Sequence, residues 1–109
     1  MLLDSMDGEE LRVSVHVVCE LLAGAELARQ PATERERVFR LCGELAVVYP
    51  DERFAPVYAR LLAGQERKRQ RVATMDLLIA SAAVLDRAPL VTRNGKDFRR
   101  ITDLEVVEY

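Results

Sequence analysis

The sequence predicts an α/β domain in three layers, a short parallel sheet flanked by helices. Three observations carry this expectation. Candidate strands at 11–15, 45–49, 89–92 and 104–107 are short and largely apolar, as strands covered on both faces are. Segments with helical periodicity alternate with them, the pattern of parallel α/β folds. A chain of 109 residues, half of them apolar and 31% charged, can fill one core. A second core would need roughly 50 more residues, so residues 1–109 are expected to form one domain.

Leu11 to Val15 alternates and is β-branched, which reads as a strand. It runs directly into Val17 to Ala28, where positions 17, 18, 21, 22 and 25 share one helical face and Pro31 closes the segment. Thr33 and Glu36 have the spacing of a capping box, so a second helix is expected to open there with Val38, Leu41 and Leu45 inward. Leu45 to Tyr49 is an apolar run ended by Pro50. Asp51 can cap a third helix, where Phe54, Val57, Tyr58, Leu61 and Leu62 form a stripe and Gly64 offers an exit. Thr74 to Leu85 is apolar all round, as a helix buried on several sides would be. Pro89 to Thr92 is a strand, Arg93 to Arg100 a loop or short helical turn, and Leu104 to Val107 the last strand.

Composition excludes several classes. Globular proportions of Gly, Pro and charge argue against a disordered or collagenous chain. No apolar run reaches the roughly 18 residues of a membrane span. Met1 to Asp7 has no basic region like that of a signal peptide, so a cytoplasmic protein is expected. Cys19 and Cys42 lack metal-ligand spacing and read as buried reduced thiols. A net charge of −2 gives no global bias toward nucleic acid. Between Arg60 and Arg71, however, Arg60, Arg67, Lys68, Arg69 and Arg71 face Glu66 alone. Either a solvated helix end or a contact for phosphate or an acidic partner would explain this stretch.

Three carboxylates stand where solvent does not explain them. Asp76 opens a helix that has no polar face. A first-turn carboxylate is favoured by the helix dipole, but any exposed orientation would serve that purpose. Glu20 lies at the edge of an apolar helical face, between Cys19 and Leu21. Asp97 follows the strand ending at Thr92, in a Gly-containing turn where a surface Asp is also ordinary. All three fall at strand exits or helix starts, on one expected rim of the sheet, where ligands of such folds bind. Clustered carboxylates repel unless a cation neutralises them, and Mg²⁺ or Mn²⁺ takes all-oxygen ligands. A site of that kind activates water and stabilises a phosphodiester leaving group. Arg93, Lys96, Arg99 and Arg100 beside it would suit a polyanion, as weak phosphate contacts. His16, the one histidine, is expected to cap or pack at the strand–helix junction.

These residues carry a family resemblance. Val15 to Ala25, centred on Glu20-Leu21-Leu22-Ala23-Gly24, resembles the second acidic motif of PIN-domain ribonucleases of the VapC toxin type. Asp76-Leu77-Leu78-Ile79-Ala80-Ser81-Ala82 resembles their third, and Leu90 to Phe98 their fourth. Leu104 to Tyr109 resembles the family's last strand, and order and spacing agree from about residue 9 onward. The resemblance implies a PIN-like fold and a carboxylate-bound Mg²⁺ or Mn²⁺ held by Glu20, Asp76 and Asp97. It makes Thr92 a hydroxyl that orders the site, with Asn94 and Asp97 at or beside the fourth acidic position. Many members carry Asp where this chain has Asn94; Asp97 can supply that charge.

The front departs from the pattern. The family opens with a central strand ending in Asp, and Met1-Leu2-Leu3-Asp4-Ser5 resembles it superficially. Yet a parallel neighbour needs a crossover of a dozen residues or more. Only five residues lie between Ser5 and Leu11. Leu2 to Met6 is therefore expected to be the tail of a preceding helix, with Asp7-Gly8 as its exit. The fold would be truncated at its N-terminus, without the central strand and first acidic ligand. Two functions follow. One is a metal-dependent endoribonuclease, the toxin of a toxin–antitoxin pair restrained by a VapB-type antitoxin. The other is a catalytically impaired PIN remnant that only binds a partner. A sheet lacking its centre would also expose apolar surface, so a homodimer is expected.

Overall fold

The computed structural model describes residues 2–3 and 11–108. Along the chain run β1 (Leu2–Leu3), β2 (Arg12–Ser14), α1 (Val15–Glu26), α2 (Pro31–Gly43), β3 (Ala46–Val48), α3 (Phe54–Arg67), α4 (Thr74–Asp86), β4 (Leu90–Thr92), α5 (Gly95–Phe98) and β5 (Val106–Glu108). The strands form one sheet in the order β3-β2-β1-β4-β5. β2 and β3 are parallel with Val13 opposite Val47, and β4 and β5 are parallel with Thr92 opposite Glu108. β1 is antiparallel to both neighbours, with Leu3 opposite Arg12 and Leu90. It follows that β2, β3, β4 and β5 all point the same way, and Ser14, Val48, Thr92 and Glu108 end on one rim.

The middle strand corrects the sequence reading. Leu2 and Leu3 are not the tail of a helix; they fill the central position of the sheet. The same crossover limit accounts for their direction: eight residues separate β1 from β2, too few for a parallel return. Asp4, Ser5 and Met6, and the exit expected at Asp7-Gly8, lie outside the described residues.

Helix boundaries follow local chemistry. The Ser14 hydroxyl caps α1 by accepting the Val17 N–H at 3.3 Å. Pro31 opens α2 instead of merely closing the segment before it, because a first-turn residue needs no N–H. The helix thus starts two residues ahead of Thr33, and the expected capping box does not form. Asp51 accepts the Arg53 N–H at 2.9 Å and grips its guanidinium just before α3. Gly64 does not end α3, which continues to Arg67.

The core gathers Val13, Val17, Leu61, Leu77, Ile79, Ala80, Leu90, Phe98 and Ile101. α4 touches β1, β2, α1, α3 and α5, which is why it carries no polar face. Its one buried hydroxyl, Ser81, donates to the Leu77 carbonyl at 2.7 Å and is satisfied there. α2 differs: it buries no residue, and Leu41, expected inward, is exposed. Cys19 is exposed as well, correcting the expectation of two buried thiols; Cys42 is half-buried and both are free.

Candidate functional site

Four strand ends define the rim, and the ligand site of such a sheet lies just beyond them. Ser14 passes directly into α1, which carries Glu20 in its second turn. Thr92 leads through Arg93 and Asn94 into α5, which carries Asp97. Asp76 stands in the first turn of α4. An open cleft of about 170 Å³ is lined by Arg71, Val72, Ala73, Asp76, Asp97 and Arg100. Two carboxylates and two guanidinium-bearing residues thus share one small space.

Asp76 is half-buried. Burial, and secondarily the charge of Asp97, raises its pKa above the usual aspartate value. Burial, followed by the charge of Asp76, likewise raises that of Glu20. The two shifts tie the three expected carboxylates into one electrostatic group with Asp76 at its centre. Among the described residues, no three of His, Cys, Asp and Glu stand close enough to hold a metal ion. Asp4 lies outside the described residues.

The turn bearing Asp97 is tied in detail. Thr92, fully buried, accepts the Asn94 N–H on its hydroxyl at 3.0 Å. The Asn94 side-chain amide donates to Asp97 Oδ2 at 2.6 Å. Gly95 N–H donates to Glu108 Oε1 at 3.1 Å, and Arg99 donates to Glu108 Oε2 at 3.2 Å. Phe98, wholly buried, anchors the turn from beneath.

The basic residues divide. Arg100 lines the cleft, Arg99 is engaged by Glu108, and Arg93 and Lys96 are exposed. From the basic stretch, Arg71 reaches the cleft, Lys68 bonds the Thr102 hydroxyl, and Arg60 stands 4.0 Å from Asp103. Sequence reading did not single out Arg71 from its neighbours, nor Glu108 at all. Their roles depend on which elements end beside the cleft, and no local pattern encodes that. His16 packs at the junction, its ring stacked on Phe54 at 5.2 Å; burial lowers its pKa, and among the described residues its Nδ1 has no hydrogen-bond partner.

The comparisons agree with this architecture. The PIN domain family matches residues 2–104. "Ribonuclease VapC1" of Haemophilus influenzae is 28% identical over 100 residues, 92% of this chain and 75% of that protein. "Ribonuclease VapC" of Rickettsia bellii is 42% identical over 53 residues, 49% of this chain and 40% of that one. Among solved structures, VapBC2 from Rickettsia felis, bound to a DNA fragment from its promoter, superposes with a TM-score of 0.86 at 28% identity. It covers 90% of this chain and 74% of that one. VapBC-1 from nontypeable Haemophilus influenzae superposes with a TM-score of 0.87 at 27% identity, covering 95% and 78%. The chain belongs to the PIN-domain family and, within it, is similar to the VapC ribonucleases.

Proposed function

We propose that this protein is a divalent-metal-dependent endoribonuclease and the toxin of a toxin–antitoxin pair. The observation that carries the proposal is the cleft itself, which Asp76 and Asp97 line together with Arg71 and Arg100. Carboxylate oxygens are the donors Mg²⁺ and Mn²⁺ take, and burial together with the charge of Asp97 raises the pKa of Asp76, a penalty on its charged form that a cation would relieve. Asp76 and Asp97 would hold the ion, and Glu20, outside the cleft lining, would add negative charge felt at Asp76. A bound ion of this kind supplies an activated water and neutralises charge at the scissile phosphate.

The chain's own residues do the rest. Arg71 and Arg100, lining the same cleft, offer positive charge to the RNA phosphates. Asn94 fixes one oxygen of Asp97 by its amide, leaving the other to the cleft. Thr92 fixes Asn94 in turn. The VapBC complexes among the structural relatives support a VapB-type antitoxin as partner. A cytoplasmic location and a homodimer complete the reading; among the described residues no helix is long and apolar enough to cross a membrane.

One observation favours a second reading, a catalytically impaired domain that acts by binding. β1 runs antiparallel, so its carboxyl end lies beside Leu90 and Arg12, on the rim away from the cleft. Cleavage of a labelled structured RNA decides between them, with Mg²⁺, Mn²⁺ or chelator, for the wild type and Asp76→Asn. The nuclease reading expects metal-dependent cleavage, favoured by Mn²⁺, and a loss of at least about 100-fold in the variant, the scale of losing an essential metal partner. Cleavage that survives chelator or Asp76→Asn would sink it, and no cleavage by the wild type would leave the binding reading.

A further inference from the structure

Glu108 closes β5 in register with Thr92, which closes β4. Its carboxyl therefore stands on the rim that carries the cleft, and both oxygens are used. Oε1 accepts the Gly95 N–H at 3.1 Å, and Oε2 accepts from Arg99 at 3.2 Å. Gly95 is the first residue of α5 and Arg99 the residue just after its last. One carboxylate thus bridges both ends of a single helical turn, and Asp97 lies within that turn.

A four-residue helix has no stability of its own, so α5 stands where its surroundings hold it. Phe98 holds it from the core and Thr92 at its entry; Glu108 holds its two ends. The approach is close. A Cβ on Gly95 would lie 2.9 Å from Glu108 Oε1 and 3.1 Å from Arg99 Nη1. A residue without a side chain is what lets the carboxylate reach this backbone N–H. An ordinary exposed ion pair between Glu108 and Arg99 would need no such approach.

We propose that Glu108 is a positioning residue: by tying Gly95 and Arg99 it sets where α5 presents Asp97 to Asp76. The proposal rests on the reading of the cleft as a metal-dependent nuclease site. Glu108 is not among the residues that line the cleft. It acts through Asp97, as the outer partners of metal ligands act through the ligands they orient.

The test uses the full chain and Mn²⁺ alone, measured by calorimetry or by electron paramagnetic resonance. Glu108→Gln keeps an acceptor for Gly95 and gives up the ion pair; Glu108→Ala gives up both contacts. Losing an outer partner costs about 10–100-fold in metal affinity, so Glu108→Ala should weaken Mn²⁺ binding by that factor and Glu108→Gln by less. Gly95→Ala, which drives the carboxylate off, should match Glu108→Ala. The double variant should be no weaker than either, because both break one tie. In RNA cleavage kcat should fall while KM stays within about twofold, the signature of a group acting on the reacting centre and not on substrate binding. Unchanged Mn²⁺ affinity in Glu108→Ala, with a cooperative melt, overturns the proposal. If the wild type binds no Mn²⁺ and cuts no RNA, the nuclease reading falls separately. The tie is then judged by amide exchange across Gly95 to Arg99 in Glu108→Ala. Faster exchange through the turn at Asp97 upholds positioning; unchanged exchange there overturns it.

Discussion

α2 and α4 are both 13 residues long, yet one buries nothing and the other buries six side chains. α4 is enclosed by two strands and three helices, whereas α2 packs on α1 and the edge strand β3. Apolar residues follow the neighbours available. Leu77, Ile79 and Ala83 disappear into the core, while Phe39 is 57% and Leu41 49% exposed. On α2, ion pairs line the surface instead, Arg37 with Glu34 and Arg40 with Glu36. The comparison teaches where the cleft is built. Asp76 and Asp97 hang from the half of the molecule with no slack, and the α1–α2 hairpin is the half left with apolar surface to share.

Two phenylalanines break the comparison most sharply. Phe98→Ala removes a wholly buried ring beneath Asp97 and should cost about 3–5 kcal/mol of stability. Phe39→Ala, on exposed α2, should stay within about 0.5 kcal/mol. Urea melts of both variants measure the difference. Similar midpoint shifts would mean that burial does not separate the two halves.

A smaller contrast lies in the ion pairs. Arg12, at the start of β2, meets Asp86, at the end of α4, at 2.8 Å, and the Asp86 side chain is only 19% exposed. Arg12→Ala leaves that carboxylate half-buried without its cation, at a cost of about 1–3 kcal/mol. Asp86→Asn in the Arg12→Ala background should recover part of the loss in the same melts, since it removes the stranded charge.

Most of the fold was legible because hydrophobic periodicity is local. α1, α3, α4 and the strand at Leu90 fall where hydrophobic period puts them, whereas their ends were not read: Ser14 caps α1, Pro31 opens α2, α3 runs past Gly64 to Arg67, and α4 exits through an αL residue at Arg87. Neither the central strand β1, expected as a helix tail, nor its direction was legible. Leu2 and Leu3 have no pattern to read in two residues, and what places them is the gap between β2 and β4. Leu41 misled because helical period reports an apolar stripe and not what covers it. At the cleft, Asp76 was conspicuous as a carboxylate opening an apolar helix, and Asp97 as one that follows the strand end at Thr92. Arg71 and Glu108 look like ordinary surface charges until the strand register and the end of α3 bring them to the rim.

Asp76 in the cleft and Glu20, coupled to it by charge, carry a pH signature of their own. Folding raises Asp76 above 3.8 and Glu20 above 4.5, so the fold prefers both in their protonated forms. Their contribution to stability is full below those values and is lost as pH rises through the raised ones. Relative to the wild type, Asp76→Asn should therefore gain Tm progressively as pH rises from about 4 toward 7. Mn²⁺ should raise the wild-type Tm at pH 7 by neutralising the same charge, and leave Asp76→Asn nearly unmoved. Parallel Tm–pH curves would show that Asp76 is not strained by its neighbours.

The smallest effect belongs to the other half. Arg40 meets Glu36 at 3.1 Å one turn apart on α2, with about 70% of each side chain in solvent. Water screens such a pair and side-chain entropy opposes it, so Arg40→Ala should cost about 0.2–0.5 kcal/mol. Raising salt to about 1 M shortens the screening length to about 3 Å and should erase even that difference. Arg12→Ala should keep most of its cost in the same salt, because Asp86 is shielded by protein and not by ions. Melts of the two variants at low and high salt read this directly. If salt erased both losses alike, the Arg12–Asp86 pair would be as solvated as the surface of α2, and the contrast between the two halves would not extend to their charges.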